Sequence, residues 1–160
     1  MAPLIFYRTT EGVIQIAPDA HRTMLSFRQG GPEATEAGGI LMGRHLVDGV
    51  NIVVDEVTQP QPSDQRSRLS FFRSIAHHYI ARQSWTTTSQ TSAYLGLWHT
   101  HPEPDPTPSD IDIRDWKKAL RKDTYPGNNL YFVIVGQSFI RLWEGNGEGT
   151  ISQCRLKALQ

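Results

Sequence analysis

Two histidines, His99 and His101, flank a single threonine in the run WHTHPEPDPTPSDID, which covers 98–112 and closes on Ser109, Asp110 and Asp112. Side chains two apart on an extended strand project to the same face. Both imidazoles can therefore meet on one metal ion while Thr100 turns the other way. Pro102, Pro104, Pro106 and Pro108 then fix φ at alternate positions and favour an extended path. A segment so restricted loses little entropy on folding, so it holds the histidines at a set distance from the helix that follows.

Asp112 admits two readings. Ser109-Asp110-Ile111-Asp112 matches a capping box, in which a serine begins a helix and the acid three residues on reaches back to it. Two histidines and one carboxylate are also the ligand set of a catalytic zinc site, whose fourth position is left for water. The two are compatible, because Ser109 can start the helix while the carboxylate faces the metal. The coincidence of histidine pair, stiff spacer, serine and acid favours the metal. Such a site needs a proton acceptor, and a carboxylate serves. Glu33 and Glu36, in GPEATEAGGILMGR, are the upstream candidates. Glu36 is preferred because it directly precedes the Gly38-Gly39 entry from loop to sheet. Spacing alone does not bring it to His99.

Elements must position these groups. Hydrophobic alternation predicts strands over 13–17, 39–46, 50–57, 93–100, 130–135, 139–143 and 150–155, with Asp48-Gly49 as a hairpin turn. Helical spacing predicts helices over 18–28, with Ala20, Met24 and Phe27 on one face, and over 109–121. A third is predicted over 72–83, with Phe72, Ile75, Tyr79 and Ile80 as its apolar stripe. The adjacent His77 and His78 point in different directions and read as solvent-facing or core-edge. Residues 59–66 are polar and read as an exposed loop, while Trp98 and Trp116 read as core aromatics. The order implies an α/β fold, a mixed β-sheet sandwiched by two or three helices.

Composition narrows the class of partner. The 160 residues suit one domain over 1–160, and sixteen acids balance sixteen bases. A formal charge of zero gives no electrostatic reason to expect nucleic acid or an anionic membrane. Cys154 is the sole cysteine, which excludes an intrachain disulfide or a thiolate cluster. With no apolar run of spanning or secretory length, a cytoplasmic location is expected.

Taken together, Glu36, His99-Thr100-His101-Pro102 and Ser109-Asp110-Ile111-Asp112 resemble the JAMM signature of the JAB1/MPN/Mov34 metalloprotease family. The segment EAGGILMG is similar to the first part of that signature. The resemblance implies an MPN domain with Zn2+ on His99, His101 and Asp112. It further implies that Glu36 is the general acid/base and that Ser109 stabilises the oxyanion of a tetrahedral intermediate. Members of this type cleave peptide or isopeptide bonds at the C-terminus of ubiquitin-like modifiers. The short stretch 122–129 resembles minimal bacterial members without a large second insertion. GLWHTHPEPDPTPSDIDIRDW is most similar to the stand-alone JAB deconjugating proteases of CBASS or Bil anti-phage operons. There the expected substrate is a nucleotidyltransferase conjugate or a ubiquitin-like protein, with E1- and E2-like proteins as operon partners.

Other readings remain at this stage. A JAB peptidase could process a Gly-Gly-tailed sulfur-carrier protein by the same chemistry. A non-catalytic MPN scaffold usually lacks a ligand of the motif, and this chain lacks none. A plain α/β domain with a proline-rich loop would require Glu36, the histidine pair, the spacer and Asp112 to be independent accidents.

Overall fold

The computed structural model describes residues 1–157. The strands are β1 (Leu4–Tyr7), β2 (Val13–Ile16), β3 (Gly38–His45), β4 (Ile52–Val57), β5 (Gln65–Arg66), β6 (Phe71–Phe72), β7 (Ala93–Thr100), β8 (Asn129–Val135), β9 (Ile140–Asn146) and β10 (Ile151–Cys154). The helices are α1 (Pro18–Ser26), α2 (Ala76–Thr87) and α3 (Asp110–Lys122). Eight strands form one sheet in the order β1-β2-β4-β3-β7-β8-β9-β10, while β5 and β6 form a separate hairpin. The β2–β4 and β7–β8 pairs are parallel and the others antiparallel, so the sheet is mixed, as expected. Past β10 the chain returns to β1. Tyr7 donates to the Arg155 carbonyl and Lys157 to that of Ile5, both at 2.8 Å, which joins the two edge strands. The outer edge of β1 is thereby covered by the segment that follows β10.

Alternation along the central strands builds two cores. Tyr131, Val133 and Val135 of β8 face one side, where Ala20 and Met24 of α1 cover them. Leu130, Phe132 and Ile134 face the other, against Trp116, Ala119 and Leu120 of α3 and the edge of α2. Helices thus sandwich the sheet. Trp98 and Trp116 are both buried, one in each core.

Three expectations needed correction. The second helix begins at Ala76, and Phe72 lies on β6 instead. Its supposed apolar stripe faces outward, with Ile75 and Tyr79 each about two-thirds exposed at 67% and 63%. His77, read as peripheral, is fully buried. Its Nδ1 accepts from the Thr58 hydroxyl at 2.6 Å, and its Nε2–H donates to Asp64 at 2.7 Å. The Thr58 oxygen in turn accepts from the Ile40 N–H, so every member of the chain has a partner. That buried relay is why 59–66 is not a free loop: it folds around Asp64 and leads into the β5–β6 hairpin.

At the end of β8 away from Thr100 sits a second buried cluster. Glu144 accepts from Arg8 at 3.0 Å, the Thr9 N–H at 2.8 Å, Asn129 at 3.2 Å, and the hydroxyls of Thr9 and Tyr131. Burial pushes its carboxyl up, but the bonds from Thr9 and Tyr131 and the Arg8 charge outweigh this and hold it below the ordinary value. A depressed carboxyl stabilises the fold above its unfolded value of 4.5 and loses that contribution as pH falls through the folded one. Glu144→Gln is therefore expected to lower the urea midpoint at pH 7 and to flatten its decline below about pH 4.5. Identical acid limbs in the two proteins would refute the assignment.

Candidate metal centre

His99 and His101 end β7 on the face covered by α3, and Asp112 sits in the first turn of that helix. β7 pairs with β3 so that Gly38 lies opposite His99, bringing Glu36 to the same end of the sheet. The glycines after Glu36 have a steric reason. A Cβ on Gly39 would sit 2.3 Å from the Thr58 carbonyl oxygen, and one on Gly38 would sit 2.8 Å from the Phe71 ring. The proline loop is pinned as well as stiff. Arg141 makes a two-pronged ion pair with Asp105 at 2.7 and 3.1 Å, and Gln137 donates to the Glu103 carbonyl at 2.8 Å.

The histidine Nε2 atoms lie 3.0 Å apart, and each faces one oxygen of Asp112, at 3.2 Å for His99 and 3.0 Å for His101. Tetrahedral zinc with bonds of about 2.0–2.2 Å separates its ligand atoms by roughly 3.3–3.5 Å. The three side chains therefore converge nearly as a metal would require. Glu103 orients the His101 ring. Its carboxylate accepts from Nδ1–H of His101 at 2.9 Å and is itself held by the Thr107 N–H at 2.9 Å. With Nδ1 engaged by Glu103, Nε2 is the ring nitrogen of His101 turned toward Asp112, the usual arrangement behind a metal-binding histidine.

Without an ion, the cluster is highly polarised. Burial lowers the pKa of His101, but hydrogen bonds to Asp112 and Glu103 raise it to about 9. Asp112 is raised by burial and lowered more strongly by its bonds from His101 and His99, ending far below the ordinary carboxylate range. Glu36 goes the other way. Burial lifts it to about 7, with His101 opposing the rise and Asp112 adding to it. Two carboxyls in one site are thereby pushed apart, which is the pattern expected of groups with different tasks.

Ser109 caps α3. Its Oγ accepts from the Asp112 N–H at 3.1 Å, and its own N–H donates to Asp112 Oδ2 at 2.8 Å. The capping box and the histidine-facing carboxylate coexist, because Oδ1 faces His99 while Oδ2 faces His101 and accepts from the Ser109 N–H. Since Ser109 Oγ acts only as acceptor in the cap, its hydroxyl proton stays available to another partner.

Residues 17–146 match the family described as prokaryotic homologs of the JAB domain. The chain belongs to the JAB family. Two relatives named CD-NTase/cGAS isopeptidase are similar over most of the JAB domain. The one from Escherichia coli is 34% identical over 149 residues, and the one from Vibrio cholerae is 30% identical over 146. Each alignment covers 91% of this chain and 88% of the relative. A protein of Desulfitobacterium hafniense solved in solution shares the fold, with a TM-score of 0.62 at 23% identity over 88% of both chains. No described helix of this JAB domain is long and apolar enough to cross a membrane.

All five residues singled out from the sequence lie at one end of the sheet. Several supporting residues were not anticipated. Glu103 is visible in hindsight as an acid two residues beyond His101. Gln29 carries no sequence signal at all, because a glutamine in a Gly/Pro loop is ordinarily a solvated one. An apolar groove lies elsewhere, between α2 and the end of α3, and none of the five lines it.

Proposed function

We propose that this JAB domain is a zinc-dependent isopeptidase that cleaves after the C-terminus of a CD-NTase joined to a target amine, reversing conjugation in a bacterial anti-phage system. The observation that carries the reading is the convergence of His99, His101 and Asp112 beside a Glu36 raised to about 7. The names of the two relatives support a nucleotidyltransferase over a ubiquitin-like protein as the conjugated partner. E1- and E2-like proteins of the same operon would make the conjugate.

In this reading His99, His101 and Asp112 would hold the ion, the His-His-carboxylate donor set of a catalytic zinc site. A divalent ion held there would supply Lewis acidity. Glu36 accepts the proton of the attacking water and delivers it to the leaving lysine amine. A carboxyl raised toward neutrality suits both halves of that transfer. The Ser109 hydroxyl donates to the oxyanion as the carbonyl becomes tetrahedral. Glu103 keeps the His101 ring oriented throughout.

The test is a CD-NTase carrying an isopeptide bond from its C-terminal carboxylate to a lysine of a second protein. Cleavage should be lost with a chelator and recovered with zinc. Cleavage of a Gly-Gly-tailed sulfur carrier in its place would move the substrate class. Intact substrates throughout, with zinc bound, would leave a scaffold.

A further inference from the structure

We infer that Gln29 is a positioning residue for the reaction: it ties the loop carrying Glu36 to the strand carrying both histidines. The inference rests on the functional reading above. Gln29 follows α1 in chain order and is fully buried. Its amide N–H groups donate to the carbonyls of Ala34 at 3.1 Å and Arg68 at 3.0 Å, and its Oε1 accepts from the Thr100 hydroxyl at 2.8 Å. Its own carbonyl accepts from Gln137 Nε2 at 3.1 Å.

Each partner leads to a reacting group. Thr100 stands between His99 and His101 and faces the opposite side of the sheet. It holds both backbone groups of Ala37. The Ala37 N–H donates to Thr100 Oγ1 at 3.0 Å, and the Thr100 N–H donates to the Ala37 carbonyl at 2.9 Å. Arg68 belongs to the turn between β5 and β6, and that hairpin holds both backbone groups of Glu36. The Glu36 N–H donates to the Ser67 carbonyl and Arg66 Nε donates to the Glu36 carbonyl, both at 2.7 Å. Ala34 is two residues before Glu36. One amide thus ties together the loop before Glu36, the hairpin that grips Glu36, and the threonine between the histidines.

Gln29 touches none of the reacting side chains, and nothing in its network is a metal ligand. Its effect is on where Glu36 stands relative to His99 and His101. Misplacing a catalytic group by about 1 Å can cost on the order of 10²-fold in rate.

The experiment uses the zinc-loaded full chain with Gln29→Met, which keeps volume and removes the amide, and Thr100→Val, which removes only the hydroxyl. If Gln29→Met does not fold, Thr100→Val breaks the same link with the Ala34 and Arg68 bonds left in place; it also frees the Ala37 N–H, so in that variant the Glu36 amide alone reports the link. Glu144→Gln, at the far end of β8, serves as a control for general destabilisation. Below the melting temperature of each protein, the two network variants should lose 10- to 100-fold in kcat, with KM changed less than about twofold and one zinc per chain retained. Deuterium exchange should accelerate at the Glu36 amide in both variants and at the Ala37 amide in Gln29→Met, and at neither in Glu144→Gln. Wild-type kcat in the folded variants, or a loss that Glu144→Gln shares, would overturn the positioning role. Should the wild type cleave no conjugate, the functional reading fails, and unchanged exchange at Glu36 would still overturn the link made by Gln29.

Discussion

Glu36→Gln should stabilise the metal-free protein at neutral pH while removing hydrolysis. Glu36 is 5% exposed, and burial raises its carboxyl from 4.5 to about 7. A folded value above the unfolded one means that the folded state holds the proton more tightly. The stability so gained is complete below 4.5 and is lost as pH rises toward 7. Near pH 7.5 the ionised carboxylate is therefore a strain on the fold, worth up to about 2–3 kcal/mol. A neutral amide of the same shape relieves it. Thermal melting of metal-free wild type and Glu36→Gln should show the variant higher at pH 7.5 and the two close together at pH 4.5. Turnover by the zinc-loaded variant should fall by about 10²- to 10⁴-fold, the usual contribution of a general acid/base. Equal melting temperatures at both pH values would remove the strain. Turnover within tenfold of wild type would remove Glu36 from proton transfer.

The second large effect concerns the ion. Zinc per chain, by elemental analysis after dialysis, should drop from about one to near zero in His101→Ala and in Asp112→Asn. The aspartate variant separates the two jobs of one side chain. Asparagine keeps an acceptor for the Ser109 N–H but has one neutral oxygen where the carboxylate presented two to the histidines. Helix capping by such a residue contributes about 1 kcal/mol. Normal zinc binding by Asp112→Asn, with no more than that loss of stability, would leave Asp112 a cap and require another ligand.

Those two residues show how unevenly the sequence speaks. The histidine pair was legible because a strand has a period of two, and Ala93–Thr100 is the strand that its alternation implies. Asp112 was legible because the capping pattern and the metal pattern fall on the same serine and acid. Elements with local signatures were placed well: α3 begins at its capping box, and β8 and β9 form the expected hairpin. Elements with weak local signatures were not. β1 is four residues long and is held by pairing with β2 and with the chain beyond β10. The β5–β6 hairpin has strands of only two residues, and it exists because Asp64 and His77 meet in the interior. The apolar residues before and within α2 look like a buried stripe in isolation, yet Ile75 and Tyr79 remain outside.

By itself, then, the sequence determined the residue types of the candidate site, the faces of β7, the stiffness of the proline spacer and the start of α3, since each depends on residues within a few positions of one another. Only the tertiary structure decided that Glu36 stands at the end of β3 where β7 delivers its histidines. It likewise decided that Glu103 orients the His101 ring and that Gln29 joins segments as far apart as Ala34, Arg68 and Thr100. Strand pairing and buried hydrogen bonds link residues by position in space, and a linear pattern carries no record of which distant donor an amide or carbonyl will find.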